Sequence, residues 1–313
     1  MDDGERKARR RELGRQLGVF EKSFEAVLSK LSASPGGSVP QYCELTSWEP
    51  VDWSAFPPSA TLQGANLPFD RVERKTLQIE NMLLHAGRLI SSLSEKNQNG
   101  LTVVDFCGGG GSLSIPLAVM YPEHTFIMVD SKPASVAIAR DRCIKAGLTN
   151  LEILESQIEA FTADFDLGVA LHACGSASDF VLKRCIHKRA AYVIASCCVG
   201  KILANRRTPL SGCLSLSEGD FCAMCKAADF GHSDLAAYNE TDRRRRCCKS
   251  FVELDRQLFS EENGYFSKLY LMKGGGAKND VLVGRPVSDA GEREQLEQTV
   301  RMVEQNYDRY LFD

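Results

Sequence analysis

The spacing of apolar residues changes character at about residue 100. Before it, Leu13, Leu17, Phe20, Phe24, Val27 and Leu31 recur at intervals of three and four and predict a charged amphipathic helix over residues 5–32. Residues 40–68 hold five prolines, both tryptophans and little periodicity, which predicts an irregular connection packed on the main domain. Leu77, Met82, Leu83, Gly87 and Leu89 then predict a second helix over residues 71–93. After Gly100, short β-rich runs alternate with helical stretches. The runs are residues 101–106, 125–130, 151–155, 165–171 and 191–196, and the helices 112–120, 133–146, 176–188 and 217–228. A sixth helix over 250–262 leads into a hairpin of 265–272 and 281–283, joined by the glycine-rich KGGGAKND. This order predicts an α/β Rossmann-like doubly wound fold. Its sheet has seven strands, mostly parallel, and closes on a C-terminal antiparallel hairpin. Residues 1–70 are a helical or irregular N-terminal extension, 71–286 the main domain and 287–313 a C-terminal helix.

Composition narrows the class. With 43% hydrophobic and 25% charged residues and a mean hydropathy of -0.21, the chain belongs with ordinary globular proteins. No apolar run reaches the ~20 residues of a membrane span. The first residues carry charges of both signs and no apolar stretch, so no secretory signal is expected and the protein is placed in cytoplasm or nucleus. Twelve cysteines scattered through strands and helices point to reduced thiols rather than a disulfide scaffold. The net charge of -3 excludes a chain that is basic overall, yet a nucleic-acid enzyme needs only a local basic face.

The densest chemical signal is VVDFCGGGG, residues 103–111, between a predicted strand and a predicted helix. Glycines there let the backbone turn tightly and approach a ligand closely. Asp130 closes the second strand 25 residues after Asp105, where a carboxylate accepts hydrogen bonds from an unphosphorylated ribose. Two alternatives stand beside an adenosine site: a purely structural turn with Asp130 at a helix entry, and a nicotinamide or flavin cofactor. Cys107 at the first glycine position of the dinucleotide pattern speaks against the latter.

On VVDFCGGGGSLSIPLA, FDLGVALHACGSASDFV, ASCCVG and RRRRCCKSFVELDR, the chain resembles the methyltransferase domain of the glutathione S-transferase C-terminal domain-containing protein family. More distantly it is similar to the methyltransferase-like 25 group and to Trm-thirteen-type tRNA methyltransferases. The resemblance covers roughly residues 71–286 and implies a class I methyltransferase fold with S-adenosylmethionine as donor. Residues 1–70 are too few for a glutathione-transferase-like domain, so glutathione is not carried over. The donor is expected among Asp105, Cys107, Gly109, Gly111, Asp130, Ser131, Gln157 and His172. The resemblance to the tRNA enzymes adds Lys75 and Gln78, on a helix over the donor, or else as ordinary solvated helix residues.

An Asn/Asp-Pro-Pro-aromatic segment is missing after the fourth strand, which disfavours exocyclic-amine chemistry of the adenine N6 type. Leu171-His172-Ala173-Cys174-Gly175 stands there instead. His172 is expected either to orient the acceptor or take its proton, or to shape the donor pocket. Topology predicts that Cys107, His172, Cys174, Cys197 and Cys198 approach one side of the cleft, with His172 and the latter three cysteines as catalytic candidates. Zinc and a cysteine nucleophile are conceivable there; reduced, metal-free thiols are the expectation. Cys222 and Cys225 have zinc-like spacing but fall within a predicted helix. Arg206 and Arg207, with Lys201 nearby, and the run Arg243, Arg244, Arg245 and Arg246 are expected either to hold phosphates or to form a solvated or partner surface. The function expected is methylation of RNA (tRNA or rRNA) by a monomer. The alternatives are a protein methyltransferase and a methyltransferase-fold protein that binds without turnover.

Overall fold

The computed structural model describes residues 42–43, 49–62, 69–95, 97, 99–205, 208–212, 214, 216–229, 239–273, 279–287 and 291. The expected helices over 5–32 and 287–313 lie outside the described residues, Val287 and Gly291 excepted. The strands are β1 (Tyr42–Cys43), β2 (Thr102–Phe106), β3 (Thr125–Asp130), β4 (Leu151–Glu155), β5 (Leu167–Leu171), β6 (Ala191–Ala195), β7 (Tyr265–Leu271) and β8 (Asp280–Pro286). The helices are α1 (Phe69–Ser94), α2 (Ser114–Met120), α3 (Pro133–Lys145), α4 (Ser176–Lys188), α5 (Glu218–Ala228) and α6 (Glu240–Glu262). They build one mixed sheet in the order β1-β7-β8-β6-β5-β2-β3-β4. β8 runs antiparallel to both neighbours and every other pairing is parallel, so the architecture is Rossmann-like and doubly wound.

The sheet has eight strands, not the seven expected. The eighth is β1, two residues from the proline-rich connection that pair parallel with β7 through Tyr42 opposite Leu269. A two-residue strand carries no alternation to read. Helix α6 also begins ten residues earlier than its apolar pattern suggests, at Glu240 rather than Ser250. A capping box closes its start: the Asn239 side chain accepts from the Asp242 amide and the Asp242 carboxylate accepts from the Asn239 amide.

Alternation along the central strands sorts side chains to the two faces of the sheet. Val103, Phe126, Met128, Val169 and Val193 pack with Ile79, Met82 and Leu83 of α1, Ile115 of α2 and Val136 of α3. Val104, Phe106, Val129, Ala170 and Ile194 face the other way, against Val181, Leu182 and Cys185 of α4 and Tyr265 of β7. A separate apolar cluster joins α5 to α6 through Phe221, Met224, Cys225, Phe251 and Val252. Both faces being covered, the strand carboxyl ends are left as the accessible rim, where open α/β sheets place their ligands. Arg142 of α3 adds a clamp: it donates to the carbonyls of Ser59 at 2.9 Å, Ala60 at 3.4 Å, Thr61 at 3.0 Å and Gly110 at 2.5 Å. Among the described residues no helix is long and apolar enough to cross a membrane.

Candidate functional site

β2 ends at Phe106, and the chain turns through Cys107, Gly109 and Gly111 with φ of 59°, 59° and 75°. Gly109 leaves room for a ligand: a Cβ built on it meets nothing within 4 Å, so its face opens on empty space. Gly111 answers to packing, since a Cβ there would lie 2.7 Å from Cδ1 of Ile115. The loop is held from β3: Asp130 accepts the Gly109 amide at 2.9 Å on one carboxylate oxygen and the Lys132 amide at 2.9 Å on the other. Each oxygen keeps a lone pair for a further donor. Asp105 is buried and accepts the Ser114 amide of α2 at 3.1 Å. Burial, with the nearby Asp130 charge, pushes its carboxyl up to about 7, against hydrogen bonding from Ser114. Burial and the Asp130 and Asp105 charges push the Cys107 thiol up to about 12, leaving it protonated at neutral pH.

This loop forms one wall of a cleft of about 580 Å³ at the strand carboxyl ends. Of the expected donor residues, Lys75, Asp105, Cys107, Gly109, Asp130, Ser131, Gln157 and His172 line it; Gln78 and Gly111 do not. Lys132, Ser135, Ser156 and Ile158 line it as well and were not singled out, and Lys201, expected only as part of a basic cluster, lines it too. Their signal is positional: each lies just past a strand end or within the first turn of the next helix. The open Gly109 face, Asp130 at the wall and Ile158 beside them fit an adenosine-bearing ligand.

The opposite wall comes from the ends of β5 and β6. His172 has φ 68° and its amide donates to Ala195 O at 3.1 Å; the Gly175 amide donates to Cys198 O at 2.9 Å. These two bonds hold the segments after β5 and β6 side by side. His172 is open to the cleft but sits in its concave wall, where desolvation, with the charges of Lys75 and Arg74, pushes the imidazole down to about 4. At pH 7 it is neutral, and the same lowering makes it a weak proton acceptor. Cys174 lines the cleft too, with its Sγ 2.9 Å from Cys197 Sγ. The sulfurs of Cys174, Cys197 and Cys198 all lie within 4.8 Å of one another. The hydrogen bond with Cys174, and then burial, raise the Cys197 thiol far above its ordinary range, which disfavours it as a nucleophile by itself. Cys197 and Cys198 do not line the cleft. Cys222 and Cys225 are buried in α5, within or beside the apolar cluster against α6.

Beneath this wall lies a buried ionic network. Arg256 donates to Asp179 at 2.8 Å, to Glu253 at 2.9 and 3.0 Å, to Ser196 Oγ at 3.2 Å and to Gly175 O at 3.2 Å. Lys249 pairs with Glu253 and, at 3.2 Å, with Asp280, and donates to Ser196 Oγ at 2.9 Å. Arg246 pairs with Asp280 at 2.8 Å and donates to Tyr42 Oη at 3.2 Å, while Tyr42 donates to Asp280. The arginine run therefore divides. Arg246 belongs to the network, and Arg245 donates to Ala227 O at 3.1 Å. Arg243 and Arg244 are more open, both near Glu240 at 3.8 and 3.3 Å. A helix turns the four arginines to different sides, so they do not act as one row. Arg206 and Arg207 lie outside the described residues.

Residues 74–205 match the family model of a methyltransferase domain. A glutathione S-transferase C-terminal domain-containing protein of Xenopus laevis is 33% identical over 249 residues, covering 77% of this chain and 39% of that protein. The Homo sapiens protein of the same name is 32% identical over 243 residues, covering 76% and 37%. The chain thus spans about two-fifths of the length of these relatives. A ribosomal RNA small subunit methyltransferase G of Ectopseudomonas mendocina is 31% identical over 104 residues, covering 33% of this chain and 47% of that one. Among solved structures, magnesium protoporphyrin IX methyltransferase of Synechocystis with bound SAH is 13% identical with a TM-score of 0.39, covering 71% of this chain and 89% of that one.

Proposed function

The chain carries the S-adenosylmethionine-dependent methyltransferase domain of the glutathione S-transferase C-terminal domain-containing protein family, and on that premise we propose that it methylates RNA. The observation that carries the proposal is the pair of unlike walls in one cleft. Asp130 and the Gly109 face would hold the adenosine, with Lys132 beside Asp130, while His172 stands in the opposite wall near Lys75, and Lys201 lines the same cleft. S-adenosylmethionine, when bound, supplies a methyl group on a sulfonium ready for transfer to a nucleophile. The chain's own part is to anchor the ribose through Asp130, to seat the acceptor against His172 and, for an acceptor that carries a proton, to receive it on the neutral imidazole.

RNA is favoured because the three lysines bring positive charge to the cleft, where a phosphate backbone would lie. The small-subunit ribosomal RNA methyltransferase among the relatives supports the same reading over a third of the chain. Arg243, the most exposed member of its run, would extend the contact. A monomer acting in the cytoplasm or nucleus accords with the many reduced cysteines.

Incubation with labelled S-adenosylmethionine and separated cellular RNA and protein fractions tests the proposal. Label in RNA is expected, with RNA affinity falling as salt rises and a shallower slope in a Lys132→Ala/Lys201→Ala variant. Label confined to protein, or donor binding without transfer to either fraction, overturns it.

A further inference from the structure

We propose that Cys174, Cys197 and Cys198 bind one zinc(II) ion at the wall of the donor cleft and leave a fourth coordination position for a ligand from outside the chain. The sequence-based expectation was of metal-free thiols, on the ground that strand ends seldom converge on a tetrahedron. Here they do converge. Cys174 follows β5, Cys197 and Cys198 follow β6, and their three sulfurs lie within 4.8 Å of one another. Among the described residues no other group of three or more histidine, cysteine, aspartate or glutamate side chains meets that spacing.

Three features suit this grouping to a soft cation. All three cysteines are half-buried, whereas Cys185, Cys222, Cys225 and Cys248 are packed away as small apolar side chains. The sulfurs are pre-positioned: the Gly175 amide bonds Cys198 O at 2.9 Å and the His172 amide bonds Ala195 O at 3.1 Å, so the two segments cannot drift apart independently. Below them Arg256 reaches both segments, through Gly175 O and Ser196 Oγ. Support of this kind behind the ligands is what fixes a metal site's geometry. Zinc–sulfur bonds of about 2.3 Å at tetrahedral angles set sulfurs about 3.8 Å apart. The 2.9 Å Cys174–Cys197 contact therefore opens by about 1 Å on binding, and wider pairs close.

Thiolates select zinc over magnesium, calcium or manganese. Three protein ligands and one open position are the arrangement of reactive zinc sites, and structural ones close the fourth position with another side chain. Binding exchanges three thiol protons, released to solvent, for one dication, so the site carries a single net negative charge and nothing is oxidised or reduced. Because Cys174 also lines the cleft, the ion would stand as a Lewis acid where the acceptor is seated. The inference rests on the thiol geometry and holds whether the acceptor is RNA or protein.

The full chain, purified under reductant and without chelator, is assayed for metal content and then, as the apoprotein, titrated with cobalt(II). The expected result is about one zinc per chain, a cobalt spectrum with thiolate charge-transfer bands, and cobalt binding weakened at least about tenfold in each of Cys174→Ser, Cys197→Ser and Cys198→Ser. Cys43→Ser, on the edge strand, is expected to bind as the parent does. Should a serine variant fail to fold, as judged by its thermal transition, zinc release from the unaltered protein is followed during thiol alkylation, with the modified cysteines mapped by mass spectrometry. Release in step with alkylation of these three supports the site. Copper in place of zinc, a cobalt spectrum without thiolate bands, affinity indifferent to all three substitutions, or a Cys174–Cys197 disulfide recovered under reductant without metal would overturn it.

Discussion

The two walls of the cleft are built by different physics. The donor wall is a main-chain structure: Asp130 gathers amides 2 and 21 residues away, and Asp105 gathers one 9 residues away. The acceptor wall is a side-chain structure. Its segments rest on Arg256, Lys249 and Glu253, whose partners Asp179, Gly175 and Ser196 lie 53 to 81 residues distant. A wall made of local contacts is written in one stretch of sequence, whereas a wall made of remote ion pairs exists only once the chain has folded. The first is disturbed residue by residue, and the second gives way as a unit.

The strongest way to break the comparison is at Arg256. Arg256→Met leaves Glu253 and Asp179 buried without their shared cation, and a loss of about 3–5 kcal/mol is expected in urea unfolding. A loss below about 1 kcal/mol would mean that the acceptor wall does not depend on its ions.

The pH response should separate the walls by sign. Asp105 has its folded-state carboxyl raised from 3.8 to about 7, so its contribution to stability is lost as pH climbs between those values. Asp105→Asn keeps an acceptor for the Ser114 amide and is expected to remove that slope. Burial alone would raise Glu253 and Asp280, yet Arg256 and Lys249 hold the first, and Lys249 and Arg246 the second, below the usual carboxylate range. Their contribution is complete above about pH 4 and is lost as pH falls through the depressed values. Urea midpoints across pH 3–8, roughly the span of these transitions, check both signs; an Asp105→Asn profile parallel to the parent's between pH 4 and 7 would refute the first.

A smaller effect is expected at Asp130→Ala, which removes a carboxylate from the ribose and weakens S-adenosylmethionine by about 1–3 kcal/mol in calorimetry. Unchanged affinity would sink its assignment as the ribose anchor. The smallest concerns Gly109→Ala. The added methyl meets no protein atom, but its φ of 59° costs an alanine about 1–2 kcal/mol of stability. Because the methyl enters the cleft, donor affinity is expected to fall too; donor affinity equal to the parent's would place the ligand elsewhere.

What could be read in advance follows the same division. The range of α4 and those of β3 and β4 were legible to the residue, because alternation and periodicity are local signals. So was the donor loop, whose glycines and strand-closing Asp130 lie within 30 residues. The first ten residues of α6 were not. Their polar surface gave no apolar stripe, and the reason for it, an ion pair from Arg246 to Asp280 across 34 positions, has no sequence signature. The convergence of the thiols falls between: topology brought the ends of β5 and β6 together, and only the folded chain set their sulfurs within 4.8 Å.

Arg142 carries a consequence of another kind. It grips Ser59, Ala60, Thr61 and Gly110 by their carbonyl oxygens, which every amino acid possesses. The segment before the main domain is therefore fixed in its route through its main chain, and among its gripped positions only Ala60, buried in the core, is also held to a small side chain. Over evolutionary time such a stretch can drift in sequence while its path stays put. Its likeness across distant descendants would survive in shape after it had faded from any alignment, provided the one arginine remained.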